Sequence, residues 1–380
     1  MNPATHAFLD EHGNTLFSAS RVYERDGGRD YHLSREVPRR PAVQWLWQEV
    51  LHRHAVEPYT AVVGFGASLP GFTAVTFAAW LQAASIVLVR GSDFDRDLFD
   101  SGHALWVREA LSRADVIGAV SPEKAARIHS LFPASVVRWT PNGVNPDQWN
   151  MLPAGRRVRD SVRGKLAQGQ RRVVGLFGEL KAKKRVPLWL GALRDAGLVN
   201  KVGLLVVGNV DSETRQILDD PVLVPRTIRI PLCSQEELAG LYAACDFTVI
   251  PSLFEGMPNV LLEAMACSVV PIVSDAGAMG NVVEHGKTGF LFRAEDRCAA
   301  AEATRAALRL SDEELSIMAG RARTHVTKHF TVDRELDVLY ELMDIAFERS
   351  RRNTLRPNTQ NAFQHDASAA SACGRNSVTA

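Results

Sequence analysis

Cysteine is scarce in this sequence and follows no pattern. Cys233, Cys245, Cys267, Cys298 and Cys373 make five, an odd number with no CxxC pair, which speaks against a disulfide framework and against a zinc site. Long apolar runs are missing as well, and none reaches the roughly 18 residues that a bilayer-spanning helix needs. Charge of one sign is also lacking: 44 Lys and Arg against 43 Asp and Glu leave +1, which gives no field to gather nucleic acid. The opening stretch Met1–Gly13 mixes His with acids and lacks the basic-then-apolar order of a secretory leader. The expectation is a reduced, cytoplasmic compartment.

What is present is ordinary globular material, 46% hydrophobic and 23% charged, in a chain of 380 residues. That length exceeds one core and suits two domains. Ala61–Phe65, Ile86–Arg90, Val116–Val120 and Val136–Trp139 read as buried strands, with helical spacing over Phe72–Gln82, His103–Ser112 and Pro122–Leu131 between them. The alternation restarts with Val173–Phe177, Val202–Val207, Thr227–Ile230, Phe247–Ile250 and Val270–Val273. Near-continuous β-branched runs separated by helices indicate parallel sheets covered on both faces. The fold class expected is α/β, with two doubly wound domains at 1–155 and 156–345.

Between them, Asn150–Arg172 is rich in Arg, Gly and Gln and reads as a solvated linker with a short helix, an interdomain phosphate or membrane contact being the other option. Residues 351–380 are poor in large apolar side chains and are expected to be disordered. At the other end, Thr15–Tyr23, a turn at Asp26–Gly28 and Tyr31–Leu33 predict a hairpin rather than a βαβ opening. Pro38–His54 predicts an amphipathic helix. Its Trp45 and Trp47 suit core packing, and with Arg39 and Arg40 they also suit a weak membrane-surface contact.

The chemistry concentrates in Pro251–Ala266, PSLFEGMPNVLLEAMA. The strand at Phe247–Ile250 ends in a loop, and a helix opens near Pro258 because proline suits the first helical turn. Gly256 permits close backbone approach to a ligand. The amides around Met257, Pro258, Asn259 and Val260, together with the helix dipole, make an anion site. Glu255 and Glu263 flank that site and can hold hydroxyls on either side of a diphosphate, which is how a nucleotide-sugar presents itself. Carboxylates so spaced also occur as plain solvated charges.

This string resembles the E-x7-E signature of the retaining glycosyltransferases of family four, which have the GT-B fold. The resemblance implies that Glu255 contacts the donor sugar, that Glu263 contacts the ribose, and that the Gly256–Val260 amides meet the sugar and phosphates. Val174–Arg185 is similar to the family's G-R-L-x-x-x-K loop, which places Gly178 at the turn and Lys184 at the phosphate-binding lysine. The family's arginine position holds Glu179, a charge reversal that Lys181, Lys183 or Arg185 could offset. Pro231–Leu238 resembles the loop that packs on the nucleobase and gives Leu232 and Cys233 as backbone contacts. Ser234 followed by Glu237 is a capping box. Overall, the resemblance covers about residues 55–345.

In the first half, Val89–Phe94 falls where the family has a His-Gly-x-Asp or Arg-Gly-x-Asp loop, so Arg90 and Asp93 are implied on the catalytic side of the cleft. They could equally form a structural pair across the turn. Pro141–Val144 matches the end of the family's first domain. Asp93 and Asp95 spell a metal motif in the wrong domain for donor binding, and no metal or cofactor is expected, the nucleotide-sugar being a substrate. The implied activity is metal-independent transfer of a sugar, with retention, to a glycan, lipid-linked or small-molecule acceptor. A nucleotide-sugar 2-epimerase of the same fold and a catalytically silent nucleotide-sugar-binding protein stay open.

Overall fold

The computed structural model describes residues 6–9, 15–25, 28–33, 39–91, 93–149, 153–168 and 171–354. In chain order these form β1 (His6–Leu9), β2 (Thr15–Arg25), β3 (Gly28–Leu33), α1 (Arg39–Val56), β4 (Ala61–Phe65), α2 (Leu69–Leu81), β5 (Ala84–Val89), α3 (Asp93–Asp97), α4 (Ala104–Arg113), β6 (Val116–Ala119), α5 (Pro122–Leu131) and β7 (Val137–Trp139). There follow α6 (Pro153–Leu166), β8 (Arg172–Phe177), α7 (Val186–Asp195), β9 (Val202–Val207), α8 (Ser212–Leu218), β10 (Thr227–Ile230), α9 (Gln235–Ala243) and β11 (Phe247–Ile250). The chain finishes with α10 (Asn259–Ala266), β12 (Val270–Ser274), α11 (Met279–Val282), β13 (Phe290–Phe292), α12 (Arg297–Leu308), α13 (Asp312–His329) and α14 (Val332–Thr354).

Two all-parallel sheets carry the molecule, as the alternation of apolar runs and helices predicts. One has four strands in the order β4-β5-β6-β7, the other six in the order β10-β9-β8-β11-β12-β13. Every residue of β5, β9, β11 and β12 is buried, the consequence of helices on both faces. In the second domain one face is packed by residues such as Tyr242, Leu261 and Met265, the other by Trp189, Leu193 and Phe290. A separate antiparallel sheet, β1-β2-β3, precedes them. The expected hairpin corresponds to β2 and β3, with Asp26 and Gly27 outside the described residues. The strand β1 was hidden by the polar opening.

The segment read as a linker is a correction. Pro153–Leu166 is a full amphipathic helix whose Val162 and Leu166 are buried against the second sheet's core. Arg163 is held too, its Nη1 donating to Asp246 Oδ1 at 3.0 Å and to Ala244 O at 3.1 Å. A boundary after residue 155 would therefore cut α6. The chain crosses between domains twice, and the crossings touch: Val144 N donates to Phe330 O at 2.8 Å, and Val332 N to Val144 O at 3.2 Å. Beyond the second crossing, α14 returns to the first sheet, where Leu342 and Ala346 are fully buried against Ile86, Leu88 and Val116. This helix runs through Thr354, so residues 351–354, expected to be disordered, are helical. Residues 355–380 lie outside the described residues.

Trp47 on α1 packs against Phe77 and Trp80 of α2, tilted to the first and edge-on to the second, with ring centroids 4.6 Å and 4.8 Å apart. Its ring serves packing. Among the described residues no helix is long and apolar enough to cross a membrane.

Candidate active site

The order of the larger sheet locates a site before any side chain is considered. From β8 the chain builds outward to β9 and β10, then restarts on the other side with β11, β12 and β13. The C-terminal ends of β8 and β11 therefore border the point where the strand order reverses, where open α/β sheets bind ligands. The loops that leave there are Gly178–Arg185 and Pro251–Pro258. They carry Lys184 and Glu255.

Backbone geometry packs the loop after β8 closely against the one after β9. Gly178 and Gly208 have φ of 98° and 112°, a region that suits glycine. A Cβ on Gly208 would lie 2.2 Å from Gly178 O. Lys184 closes a short 3-10 turn, and its ammonium donates to Glu255 Oε1. The same oxygen accepts from Ser252 Oγ at 3.1 Å, and Ser252 O accepts from Ser274 Oγ at 2.6 Å. The neighbouring charges are engaged elsewhere: Lys181 with Glu179 at 2.5 Å in solvent, and Arg185 bidentate on Glu295 at 2.7 Å and 2.9 Å. Lys183 is exposed. Of the basic run, Lys184 reaches the second loop with its side chain, and Lys183 does so with its backbone, its O accepting from Leu253 N at 2.9 Å.

The helix α10 starts one residue later than its proline suggested. Pro258 is the N-cap, with φ −73° and ψ 125°, and offers no side-chain cap. Leu261 N donates to Pro258 O at 3.0 Å, while the amides of Asn259 and Val260 stand ahead of any carbonyl of their own helix, and the helix dipole adds positive charge at that end. Val260 faces Gly178, its Cγ2 3.8 Å from where a Cβ would stand. Glu263, one turn in, accepts from Tyr242 Oη at 2.8 Å. Burial pushes its carboxyl above the usual range, and the bond from Tyr242 opposes that rise. Tyr242 is itself fully buried, its ring 4.1 Å from Phe177. Leu232 and Cys233 lie beyond the edge strand β10, roughly 10 Å from β8 at the usual strand spacing. Leu232 is almost fully exposed, and burial pushes the half-buried Cys233 thiol up. Ser234 and Glu237 form the expected capping box.

The first domain meets this site through Arg90 and Asn142. Arg90 Nη1 donates to Asn142 Oδ1 at 2.5 Å and to Glu335 Oε1 at 2.8 Å. Asn142 Nδ2 donates to Met257 O at 2.8 Å and to Asn259 Oδ1 at 2.9 Å, and Asn142 N to Met257 Sδ at 3.3 Å. Gly143 N donates to the second oxygen of Glu335 at 2.7 Å. Gly256 completes the approach: a Cβ there would stand 2.1 Å from Arg90 O. The structure thus joins Arg90, Met257, Asn259 and Gly256.

Asp93 behaves differently from the pairing considered for it. It accepts from the amides of Ala67 and of Gly91, the latter at 3.2 Å, so it fixes two loops and does not bond Arg90. Asp95 takes Lys124 at 2.6 Å and Arg127 at 3.1 Å. Sequence reasoning missed Asn142, Ser252, Tyr242 and Glu335. Asn142 carried a signal, since it sits in the Pro-Asn-Gly turn. The others become visible only through tertiary contact. Beside Arg90 and Asp93 a cavity of about 730 Å³ opens, with Phe65, Leu69, Asp97 and Asp100 among its walls.

Residues 171–310 match the family model described as "Glycosyl transferases group 1". A D-inositol 3-phosphate glycosyltransferase of Rhodococcus erythropolis is 27% identical over 250 residues, covering 62% of this chain and 54% of that protein. The chain spans about half the length of the curated relatives it matches. Among solved structures, sucrose-phosphate synthase from Thermosynechococcus elongatus aligns with a TM-score of 0.71 at 21% identity, covering 86% of each chain. The Anabaena protein HepE in complex with UDP-glucose aligns with a TM-score of 0.66 at 18% identity, covering 80% of this chain and 82% of that one. The fold is that of GT-B glycosyltransferases.

Proposed function

We propose that this chain, with the GT-B fold and a group 1 glycosyl transferase match over residues 171–310, transfers a sugar from a nucleotide-sugar to an acceptor. The observation that carries the reading is the convergence of Lys184, Glu255 and the uncapped start of α10 at the switch point of the larger sheet. Breaking the bond from sugar to diphosphate leaves negative charge on phosphate and positive charge at the anomeric carbon. Lys184 and the first-turn amides suit the leaving charge without a metal, since preorganised donors are most effective where charge develops. Glu255 is near enough to orient the sugar. Glu263, held by Tyr242, suits a ribose hydroxyl, with the backbone at Leu232 and Cys233 further out towards the base.

The retaining outcome belongs to this proposal through the E-x7-E resemblance: acceptor attack comes on the face the phosphate leaves. The acceptor approaches from the first domain, across Arg90. The structural relative bound to UDP-glucose supports the donor class. The test is a panel of nucleotide-sugars incubated with and without an acceptor extract, read by mass spectrometry. Transfer that persists in EDTA supports the proposal. Isomerised donor would point to a 2-epimerase, and tight binding without turnover to a silent binding protein.

A further inference from the structure

Arg185 follows Lys184 and holds a conformation that disfavours a side chain. Its φ of 51° and ψ of 30° lie in the left-handed region, as does the φ of 61° at Glu295, where a Cβ crowds the backbone and glycine is favoured. Among the described residues four non-glycines have positive φ, and these two bond each other. Arg185 Nε donates to Glu295 Oε1 at 2.7 Å and Nη2 to Oε2 at 2.9 Å, the two-pronged geometry that fixes a guanidinium most firmly. The side chains are 40% and 42% exposed, so the pair contributes little to global stability. Residues in such conformations persist only where their surroundings hold them, and they gather at functional sites.

The pair closes a ring of loops at the carboxyl ends of the strands. The Lys184 ammonium and the Lys183 carbonyl tie the loop after β8 to Glu255 and Leu253 in the loop after β11. Gly256 O accepts from Ala278 N at 2.8 Å, which joins the loop after β11 to the one after β12. A Cβ on Gly277 would stand 2.2 Å from Glu255 O, so these two loops run in contact. Asp275 Oδ1 accepts from Ala294 N at 2.8 Å, and Asp275 N donates to Phe292 O at 2.9 Å, which joins the loop after β12 to the one after β13. Glu295 then returns to Arg185. The turn that carries Lys184 is short, held by Lys184 N on Lys181 O at 2.7 Å and Arg185 N on Ala182 O at 3.1 Å. Its last two residues bond different loops, so the turn is held from both sides.

We propose that Arg185 and Glu295 are positioning residues for the donor site: their pair closes the ring of loops and holds the Lys184 ammonium where a donor's diphosphate must meet it. The inference rests on the transferase reading of the cleft. It is tested with the full chain by calorimetry on uridine, adenosine and guanosine diphosphates, and by hydrogen exchange over residues 180–190. Glu295→Gln and Arg185→Gly should each weaken diphosphate binding about two- to fivefold, the scale of an exposed ion pair. Glu295→Gln should also speed exchange of the Lys184 and Arg185 amides. In a Lys184→Ala background Glu295→Gln should cause no further loss, because the pair acts through that lysine. A loss undiminished in that background overturns the proposal. Tighter binding by Glu295→Gln overturns it too, since a released Arg185 would then meet the phosphates itself. A bond with only a structural role would instead lower the melting temperature and spare diphosphate affinity, which is also contrary to the proposal. Faster exchange at the turn in Glu295→Gln, with no diphosphate bound by the native chain, would sink the donor reading and leave the hold on Lys184 standing.

Discussion

The ammonium of Lys184 and the carboxylate of Glu255 form one ion pair, joining the loop after β8 to the loop after β11. Each neutralises the other, so a diphosphate must compete with Glu255 for Lys184. Glu255→Gln should therefore bind a free nucleoside diphosphate several-fold more tightly while transfer falls about ten- to a hundredfold, the range for losing a charge-assisted hydrogen bond. Calorimetry and initial rates check the two halves. Weaker diphosphate binding in this variant would show that the pair assists the site and does not compete.

Lys184→Ala should cost more donor affinity than Lys181→Ala or Lys183→Ala. Lys181 faces Glu179 in solvent, and exposed pairs of that kind contribute little. Donor titrations on the three variants decide it. Equal losses would mean that the run acts as a diffuse surface field.

Glu263→Gln should weaken nucleotide binding by about tenfold or more and raise the melting temperature at neutral pH. The sign follows from burial, which raises the carboxyl of Glu263 in the folded state. The folded form then holds its proton more tightly than the unfolded form, so stability falls as pH rises through the ordinary carboxylate range to the raised value. As pH rises towards neutral the native chain carries more of that cost, and the amide removes it. Scanning calorimetry across acid to neutral pH should show the gap between variant and native chain widening upward. A gap that narrows instead would contradict the assignment.

Gly256→Ala should impair cleft function with the larger sheet intact. The added methyl meets Arg90 O, so the domains must part or the loop must shift, a strain of about 1–3 kcal/mol. Transfer should fall well below native while nucleotide binding changes less. A variant with native rates would show that this approach is not kept during turnover.

Much of the architecture was legible because parallel strands buried on both faces leave continuous apolar runs. The loop Pro251–Pro258 and the helix after it were legible for a different reason: Gly256, Pro258 and the two glutamates each have a local backbone or charge role. The length and burial of α6 were missed, a short solvated helix being expected, because its arginines dominate the composition, although Val158, Val162 and Leu166 recur at helical spacing. The partners of Arg90 could not be read in advance. Glu335 lies on a helix whose amphipathic pattern announces a buried face without naming the sheet it will cover. For the same reason Asp93 looked like a partner of Arg90, when the nearer demand came from the amides of Ala67 and Gly91.

The return of α14 to the first sheet bears on how such a chain can be taken apart. A fragment ending near residue 150 would keep β4 to β7 yet leave Ile86, Leu88 and Val116 without the cover of Leu342 and Ala346. Apolar surface so exposed favours aggregation over folding. The halves are not cassettes that recombine by a single cut. A chimaera meant to keep one acceptor preference and borrow another donor preference has to carry residues 332–354 with the amino-terminal half, and needs two junctions where the sequence suggests one.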